Sequence, residues 1–212
     1  MFVRRLVLGA LDTNCWVAAD DCGGPAVVVD PADDADAILF AVGERKVMAV
    51  VLTHKHFDHI GAVRELIART GAPLWVHQDD AAGLSDAIGT GGAMFGFTTT
   101  APPPDRLLGA GDVLVAGNLR LTVLHTPGHT PGGICLLAED SSGDPAQLFA
   151  GDTLFAGSVG RTDFPGGDAR ALSHSIATKL VSLPAETIVH PGHGPDTTIG
   201  RERRVNPFFP RA

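Results

Sequence analysis

Four side chains that can bind a metal ion stand together in one short stretch of the sequence. His54, His56, Asp58 and His59 fall within six residues, directly after an apolar run at 47–52. Where a strand ends in a loop, the first two side chains can face one point and the last two another point a few ångströms away. Imidazole nitrogen and carboxylate oxygen suit zinc and also iron or manganese. The spacing therefore predicts two neighbouring metal ions.

Three further segments each place one possible ligand at the end of a strand, beside glycine or proline. They are residues 126–132 around His129, 151–153 around Asp152 and 191–194 around His193. Glycine and proline allow or impose unusual backbone turns, which can direct a side chain inward. A lone histidine in such a place is more often a hydrogen-bonded packing residue than a ligand. Seven candidates in four such segments favour a catalytic metal centre.

The elements that must position these side chains alternate between strand and helix. Apolar runs rich in branched residues predict strands at 2–8, 15–19, 26–29, 47–52, 74–76, 113–115, 120–124, 134–137, 147–150 and 187–189. Helical periodicity predicts helices over 32–42, from residue 60 to the stop at Thr70 and Gly71, and over 168–181 with Asp168 as the capping residue. The pattern indicates a layered α/β architecture with stacked sheets at the centre and helices outside.

One long segment, residues 85–104, is rich in glycine and proline and is expected to be a mobile surface loop. Such a loop is either a lid over a substrate or a plain connection between elements. Hydrogen exchange with a bound product analogue would separate the two, because a lid gains protection on binding.

Composition excludes several classes of function. The 212 residues carry a net charge of −8 with scattered basic residues, which argues against a nucleic-acid partner. No run approaches the roughly 20 apolar residues of a membrane span, so we expect no membrane partner and a cytoplasmic location. Cys15, Cys22 and Cys135 have no spacing typical of disulfides or zinc knuckles, which favours a reducing compartment. No pattern indicates the oligomeric state.

With these motifs in order along the chain, the sequence resembles the metallo-β-lactamase-fold hydrolases. The stretch T-H-x-H-x-D-H at 53–59 is the most specific of the shared motifs. The resemblance implies a four-layer αββα sandwich, α/β in class, as a single domain over residues 1–212. It also implies two divalent metal ions, with zinc favoured and iron or manganese compatible. The first would be held by His54, His56 and His129, the second by Asp58, His59 and His193, with Asp152 bridging them.

Single residues separate the branches of that family. Asp152 stands where many zinc β-lactamases have cysteine, and His56 where flavodiiron reductases have glutamate. Quorum-signal lactonases use a tyrosine near the metals, and this chain contains none. Segments 151–155, 160–168 and 202–207 are similar to small glyoxalase II-like proteins, the hydroxyacylglutathione hydrolases. The C-terminal helical domain of the larger members, which binds glutathione, would be truncated or absent here.

The hypothesis from sequence is therefore a metallo-hydrolase that cleaves a small-molecule thioester similar to S-2-hydroxyacylglutathione. Two cations lower the pKa of a shared water from about 15.7 toward about 7, and the bridging hydroxide would attack the carbonyl. Asp58 would be the catalytic residue that orients this nucleophile and accepts its proton. A mononuclear iron persulfide dioxygenase is the alternative. Two further alternatives are a lactonase or other ester hydrolase of the same fold, and a metal-binding scaffold without activity.

The other candidate residues receive weaker assignments. Arg161 and Asp163 are weighed equally between a role beside the metals or substrate and an ordinary surface ion pair. Cys135 lies in an apolar strand and is expected to be a small core residue. The remaining histidines are expected to have hydrogen-bonding, packing or surface roles, and they are His77, His125, His174 and His190.

Overall fold

The computed structural model describes residues 1–20, 22–139 and 144–209, and its strands form two six-stranded sheets and a short hairpin. The first sheet contains, in spatial order, β1 (Phe2–Leu8), β2 (Thr13–Ala19), β3 (Ala26–Val29), β4 (Val47–Val51), β5 (Leu74–His77) and β6 (Arg106–Leu108). The second contains β7 (Val113–Ala116), β8 (Leu119–His125), β9 (Ile134–Glu139), β10 (Gln147–Gly151), β13 (Ile188–Pro191) and β14 (Thr197–Thr198). Its spatial order is β14-β13-β10-β9-β8-β7, while β11 (Leu154–Phe155) and β12 (Ser158–Val159) pair as the hairpin.

The helices connect and cover these sheets. They are α1 (Ala35–Val42), α2 (Val63–Thr70), α3 (Gln78–Ala81), α4 (Ala169–Ser175) and α5 (Ile199–Val205). A π-helical turn (Ile176–Leu180) continues α4, and 3-10 turns lie at Phe57–His59, Ala82–Ser85 and Gly92–Phe95. No helix in these described ranges is both long and apolar enough to cross a membrane.

Three apolar clusters show that the elements form four layers. One packs Ile38 of α1 and Leu66 of α2 against the first sheet, and a second lies between the sheets. The third packs Leu172 of α4 against the outer face of the second sheet. Successive residues of a strand pack into different clusters. In β4, Val50 packs against the helices and Val51 packs against the other sheet. Burial on both faces explains why the central strands are continuous apolar runs. The αββα sandwich expected from the sequence is confirmed.

Several predicted boundaries were wrong by a few residues. The first helix begins at Ala35 instead of residue 32, because the Asp34 side chain accepts a hydrogen bond from the backbone N–H of Ala37 and caps it. Asp168 caps α4 as expected, by accepting from the N–H groups of Arg170 and Ala171. The predicted 168–181 helix is α4 followed by the π-helical turn. Segment 85–104 contains the turn Gly92–Phe95, and β6, β14 and α5 had not been predicted.

Strand direction brings the ligand-bearing loops to one edge. In the first sheet β3, β4 and β5 run parallel, so their carboxyl ends lie side by side. In the second sheet β10 is parallel to β13, and β8 and β10 are both antiparallel to β9. The carboxyl ends of β8, β10 and β13 therefore share an edge. The two edges meet where the backbone N–H of Asn14 donates to Gly192 O at 2.7 Å.

Candidate metal centre

The structure brings the seven predicted ligands together at this shared edge, in two groups. The first group is His54, His56 and His129, whose potential ligand atoms lie within 4.8 Å of one another. All three follow strands, the first two after β4 and the last after β8. His56 Nδ1 is 2.8 Å from His129 Nε2, and all three side chains are buried. This group can hold one cation with three imidazoles.

The second group is Asp58, His59 and His193, which also lie within 4.8 Å of one another. Asp58 Oδ2 is 3.2 Å from His193 Nε2 and 3.5 Å from His59 Nε2. Asp58 and His59 both lie in the 3-10 turn Phe57–His59, and the His59 ring centroid is 4.1 Å from that of His54 in the first group. One carboxylate and two imidazoles can hold a second cation.

Asp152 lies between the two groups. Its Oδ1 is 3.5 Å from His59 Nε2, while its Oδ2 is 3.5 Å from His129 Nε2 and 3.8 Å from His193 Nε2. Oδ1 therefore lies near the second group, and Oδ2 lies near ligands of both groups. This is the position expected of a bridging ligand.

Unsatisfied atoms show that a metal fits these residues. Among the described side chains, the buried atoms without a hydrogen-bond partner include His54 Nε2, His59 Nε2 and Asp152 Oδ1. Buried polar atoms in native proteins normally have partners. All three of these atoms point toward the centre of the ligand groups, where a divalent cation would complete their coordination. The donor set of nitrogens and carboxylate oxygens suits such an ion.

The electrostatics of the two groups differ. Burial, reinforced by the neighbouring imidazoles, lowers the pKa of His56 to about 2 and that of His54 well below its usual range. These rings are therefore neutral, as metal ligands must be. Burial also acts to lower the pKa of His59, but the carboxylates of Asp58, Asp152 and Asp30 outweigh it and raise that pKa to about 10. The second group thus concentrates negative charge where a cation would sit.

Asp30 is a functional residue that the sequence interpretation missed. It follows β3, and its Oδ2 is 3.0 Å from His59 Nδ1. The same carboxylate accepts from the N–H (2.7 Å) and the hydroxyl (2.6 Å) of Thr53, so Thr53 Oγ1 is left to accept from His54 Nδ1 at 3.0 Å. These contacts leave Nε2 of both histidines free for a metal. Its position directly after a strand was the available signal.

Asp80 was also missed, and it joins two ligand loops. Its buried carboxylate accepts from Lys55 N at 3.1 Å, Thr130 Oγ1 at 2.7 Å and Gly132 N at 2.9 Å. Lys55 lies between His54 and His56, and Thr130 follows His129. One side chain therefore holds the loop after β4 against the loop after β8.

The remaining histidines lie outside the seven-residue centre. His125 stacks on His77 with ring centroids 3.9 Å apart, and its Nε2 is 3.0 Å from Pro131 O. His190 Nε2 is 2.6 Å from Gln147 Oε1, and His174 is exposed at the end of α4. Cys135 is buried in the core under α4, where burial raises its thiol pKa to about 11.

Arg161 and Asp163 stand beside the centre. The backbone carbonyl of Arg161 accepts from His129 Nδ1 at 2.7 Å, which leaves His129 Nε2 for a metal. The guanidinium forms a bidentate ion pair with Asp163, at 2.7 and 2.8 Å. The backbone of Arg161 thus supports the ligand His129. Its side chain forms a surface ion pair with Asp163, which was the other role considered from the sequence.

A cavity of about 470 Å³ opens over the two ligand groups. Asp58, His129, Asp152 and His193 contribute to its floor. Its walls are mainly aromatic, and its phenylalanines are Phe57, Phe95, Phe97, Phe155 and Phe164. The cavity has the size of a small-molecule site and reaches the atoms that would carry the metals.

The chain belongs to the metallo-β-lactamase superfamily, whose family model matches residues 8–193. It is 36% identical to a probable metallo-hydrolase, YqgX, of Bacillus subtilis, over 97% of this chain and 96% of that protein. It is 35% identical to the hydroxyacylglutathione hydrolase GloC of Haemophilus influenzae, over 99% of this chain and 98% of that protein. The chain is therefore assigned to the metallo-hydrolases of this superfamily.

Solved structures agree on the fold. The structure of BLEG-1, named a B3 metallo-β-lactamase, is 39% identical with a TM-score of 0.89, covering 98% of this chain and 99% of that one. TTHA1623 in a di-iron-bound form is 39% identical with a TM-score of 0.83, covering 97% and 99%. ETHE1 from Myxococcus xanthus is 32% identical with a TM-score of 0.78, covering 98% and 84%. This fold binds divalent metals, and these relatives differ in name, with iron named as the bound metal of TTHA1623.

Proposed function

We propose that this protein is a single-domain hydrolase of small-molecule thioesters that works with two divalent cations. The observation that carries the proposal is the pair of three-ligand groups with Asp152 between them, on the floor of the cavity. The similarity to GloC supports the thioester assignment, because it extends over 98% of that protein's length.

Each residue has a defined part in this proposal. His54, His56 and His129 would hold the first cation, and Asp58, His59 and His193 the second. Zinc suits this donor set, and the di-iron form of TTHA1623 makes iron the second candidate. When bound, the two cations would lower the pKa of a water toward about 7 and polarise the substrate carbonyl.

Asp58 is placed to handle the proton. Its side chain lines the cavity, and Thr13 Oγ1 donates to its Oδ2 at 3.2 Å, which orients the carboxylate. Burial raises the pKa of Asp58, but His59 and His193 outweigh burial and hold it below its usual range. The carboxylate is therefore ionised and can accept the proton of an attacking water. A thiolate is a good leaving group and needs no protein acid.

The test compares metal content with turnover. His54→Ala and Asp152→Ala are expected to lose bound metal and the hydrolysis of S-lactoylglutathione and other thioesters together. His174→Ala, which changes an exposed histidine outside the site, serves as the matched control and should retain both. Thioester hydrolysis by a metal-free His54→Ala protein would contradict the proposal.

A persulfide dioxygenase that uses one iron is the second candidate, and the similarity to ETHE1 from Myxococcus xanthus keeps it in the test. Iron-loaded protein would then consume oxygen with glutathione persulfide. Two metals per chain together with thioester cleavage would exclude it. Lactones and β-lactams complete the substrate panel, the latter because of the name given to BLEG-1.

A further inference from the structure

We infer that the cavity selects thioesters with an apolar acyl group over polar hydroxyacyl thioesters of glutathione. The inference rests on the proposed thioester hydrolysis and specifies its substrate. Two features support it. The walls of the cavity are mainly aromatic, and Arg161, which also lines the cavity, is paired with Asp163.

Phenylalanine lies against both halves of the metal centre. The Phe164 ring centroid is 5.6 Å from that of His56, in the first ligand group. The Phe155 ring centroid is 6.2 Å from that of His193, in the second. An acyl group bound at the centre would therefore have a phenylalanine ring beside each ligand group.

The aromatic surface continues outward from the ligands. Phe95 is 5.7 Å from Phe164 and 5.9 Å from Phe57, between ring centroids, and Phe97 stacks on Phe57 at 4.7 Å. Phe95 and Phe97 remain 51% and 37% exposed. Contiguous exposed apolar surface is a mark of binding sites, because an apolar ligand removes it from water. Segment 85–104 thus supplies part of the cavity wall.

The charge of the arginine that lines the cavity is balanced by a neighbouring carboxylate. Among the described residues that line the cavity, Arg161 is the one arginine or lysine. Its Nε and Nη2 both donate to Asp163, and its guanidinium carbon lies 3.7 Å from the Phe164 ring centroid. Glutathione carries two carboxylates, which need charge-assisted donors to be held in place. A paired arginine gives little such attraction, whereas a neutral thioester needs none.

The first experiment measures kcat/KM for N-acetylcysteamine thioesters with acetyl, butyryl, hexanoyl, phenylacetyl and lactoyl groups. Each added methylene should raise kcat/KM about three- to fourfold until the wall is covered, because each buries apolar surface. Lactoyl should be the poorest substrate of its size. Phe97→Ala should flatten this dependence. Phe40→Ala, a change at an 84% exposed phenylalanine on α1, should leave it intact.

The second experiment changes the pairing of Arg161. Asp163→Asn should release the guanidinium and lower KM for S-hexanoylglutathione several-fold, while KM for hexanoyl-N-acetylcysteamine stays unchanged. Equal changes for both thiols, or none for either, would overturn the argument from the ion pair. A wild-type preference for the lactoyl group would overturn the inference itself.

Binding of non-hydrolysable thioethers separates this inference from the proposed function. Calorimetry with S-hexyl and S-(2-hydroxypropyl) N-acetylcysteamine measures the preference without turnover. Tighter binding of the hexyl compound, weakened by Phe97→Ala, would support the cavity's preference even if no thioester were cleaved. Thioester cleavage with equal binding of the two compounds would leave the proposed function in place and overturn the inference.

Discussion

Four of the five histidines of the candidate centre have one ring nitrogen that contacts a protein group outside the ligand set, and for His129 that group is Arg161 O. His54 Nδ1 contacts Thr53, His59 Nδ1 contacts Asp30, and His193 Nδ1 is 3.1 Å from Leu11 O. Such contacts fix the ring orientation and the tautomer, so the opposite nitrogen presents a lone pair to a metal. Metal affinity at this site therefore depends on residues that would not touch the metal.

Asp30→Asn tests this dependence. The substitution keeps the size of the side chain but removes the charge opposite His59 and places an amide where both carboxylate oxygens accept. We expect metal affinity to fall about 10- to 100-fold, measured by competition with a chelator. Glu44→Gln, which removes one charge at an exposed position, is the control. Unchanged affinity in the Asp30 variant would show that His59 needs no such partner.

At the level of elements, the turn after β13 needs a glycine for reasons of space. A Cβ at Gly192 would lie 2.2 Å from Asp152 Oδ1 and 2.8 Å from His59 Cε1. The Asp152 carboxylate can lie between the two ligand groups only because this position has no side chain.

Gly192→Ala should therefore displace Asp152 and lower metal affinity at least tenfold, with activity falling in parallel. Metal titration and thioester turnover measure the two effects. Gly109→Ala is the matched control, because a Cβ there has no atom within 4 Å. Full metal binding by the Gly192 variant would mean that the loop can move aside at little cost.

The loops after β4 and β8 are a second element-level case, since Asp80 joins them. In Asp80→Asn, the amide N–H group would point at one of the three donors that the carboxylate now accepts from, and that hydrogen bond would be lost. We expect about 2 kcal/mol less free energy of unfolding and about tenfold weaker metal binding. Urea denaturation and metal titration measure these effects. Asp79→Asn, at a side chain that is 47% exposed, should change stability by under about 0.5 kcal/mol.

For the whole molecule, the buried histidines predict how the stability of metal-free protein depends on pH. His54 and His56 have folded pKa values below 6.5, so below that pH the unfolded chain binds protons that the folded protein does not. Stability should therefore fall on acidification. His59, raised to about 10, holds a proton that the unfolded chain loses above pH 6.5. Its contribution is complete below pH 6.5 and declines by up to about 1.4 kcal/mol per pH unit as pH rises toward 10.

Urea denaturation of chelator-treated protein at pH 5, 7 and 9 should thus give the highest free energy of unfolding near pH 7. In zinc-loaded protein the decline above pH 7 should weaken, since the cation replaces the proton of His59. A steady rise in the stability of the metal-free protein from pH 5 to pH 9 would contradict these charge assignments.

From the sequence alone, the seven residues of the candidate metal centre and the layers of the fold could be predicted. Seven ligands could be named because metal-binding types recur at strand ends, and periodicity distinguishes strands buried on both faces from amphipathic helices. Short elements such as β6, β14 and α5 were missed, because their few residues carry too little periodic signal. The edges of longer elements were displaced where a capping side chain decides the first turn, as at Asp34.

The surroundings of those candidate ligands became known only from the folded structure. Asp30 and Asp80 act on residues 23 to 52 positions away, and such hydrogen bonds depend on distances in space that no local pattern encodes. The same holds for the cavity wall, since its phenylalanines come from separate segments and meet only when the two sheets stack. The ligand types in the sequence indicate the chemistry of the site. The folded arrangement around these ligands determines the charge of the site, the volume of its cavity and the surface that a substrate must match.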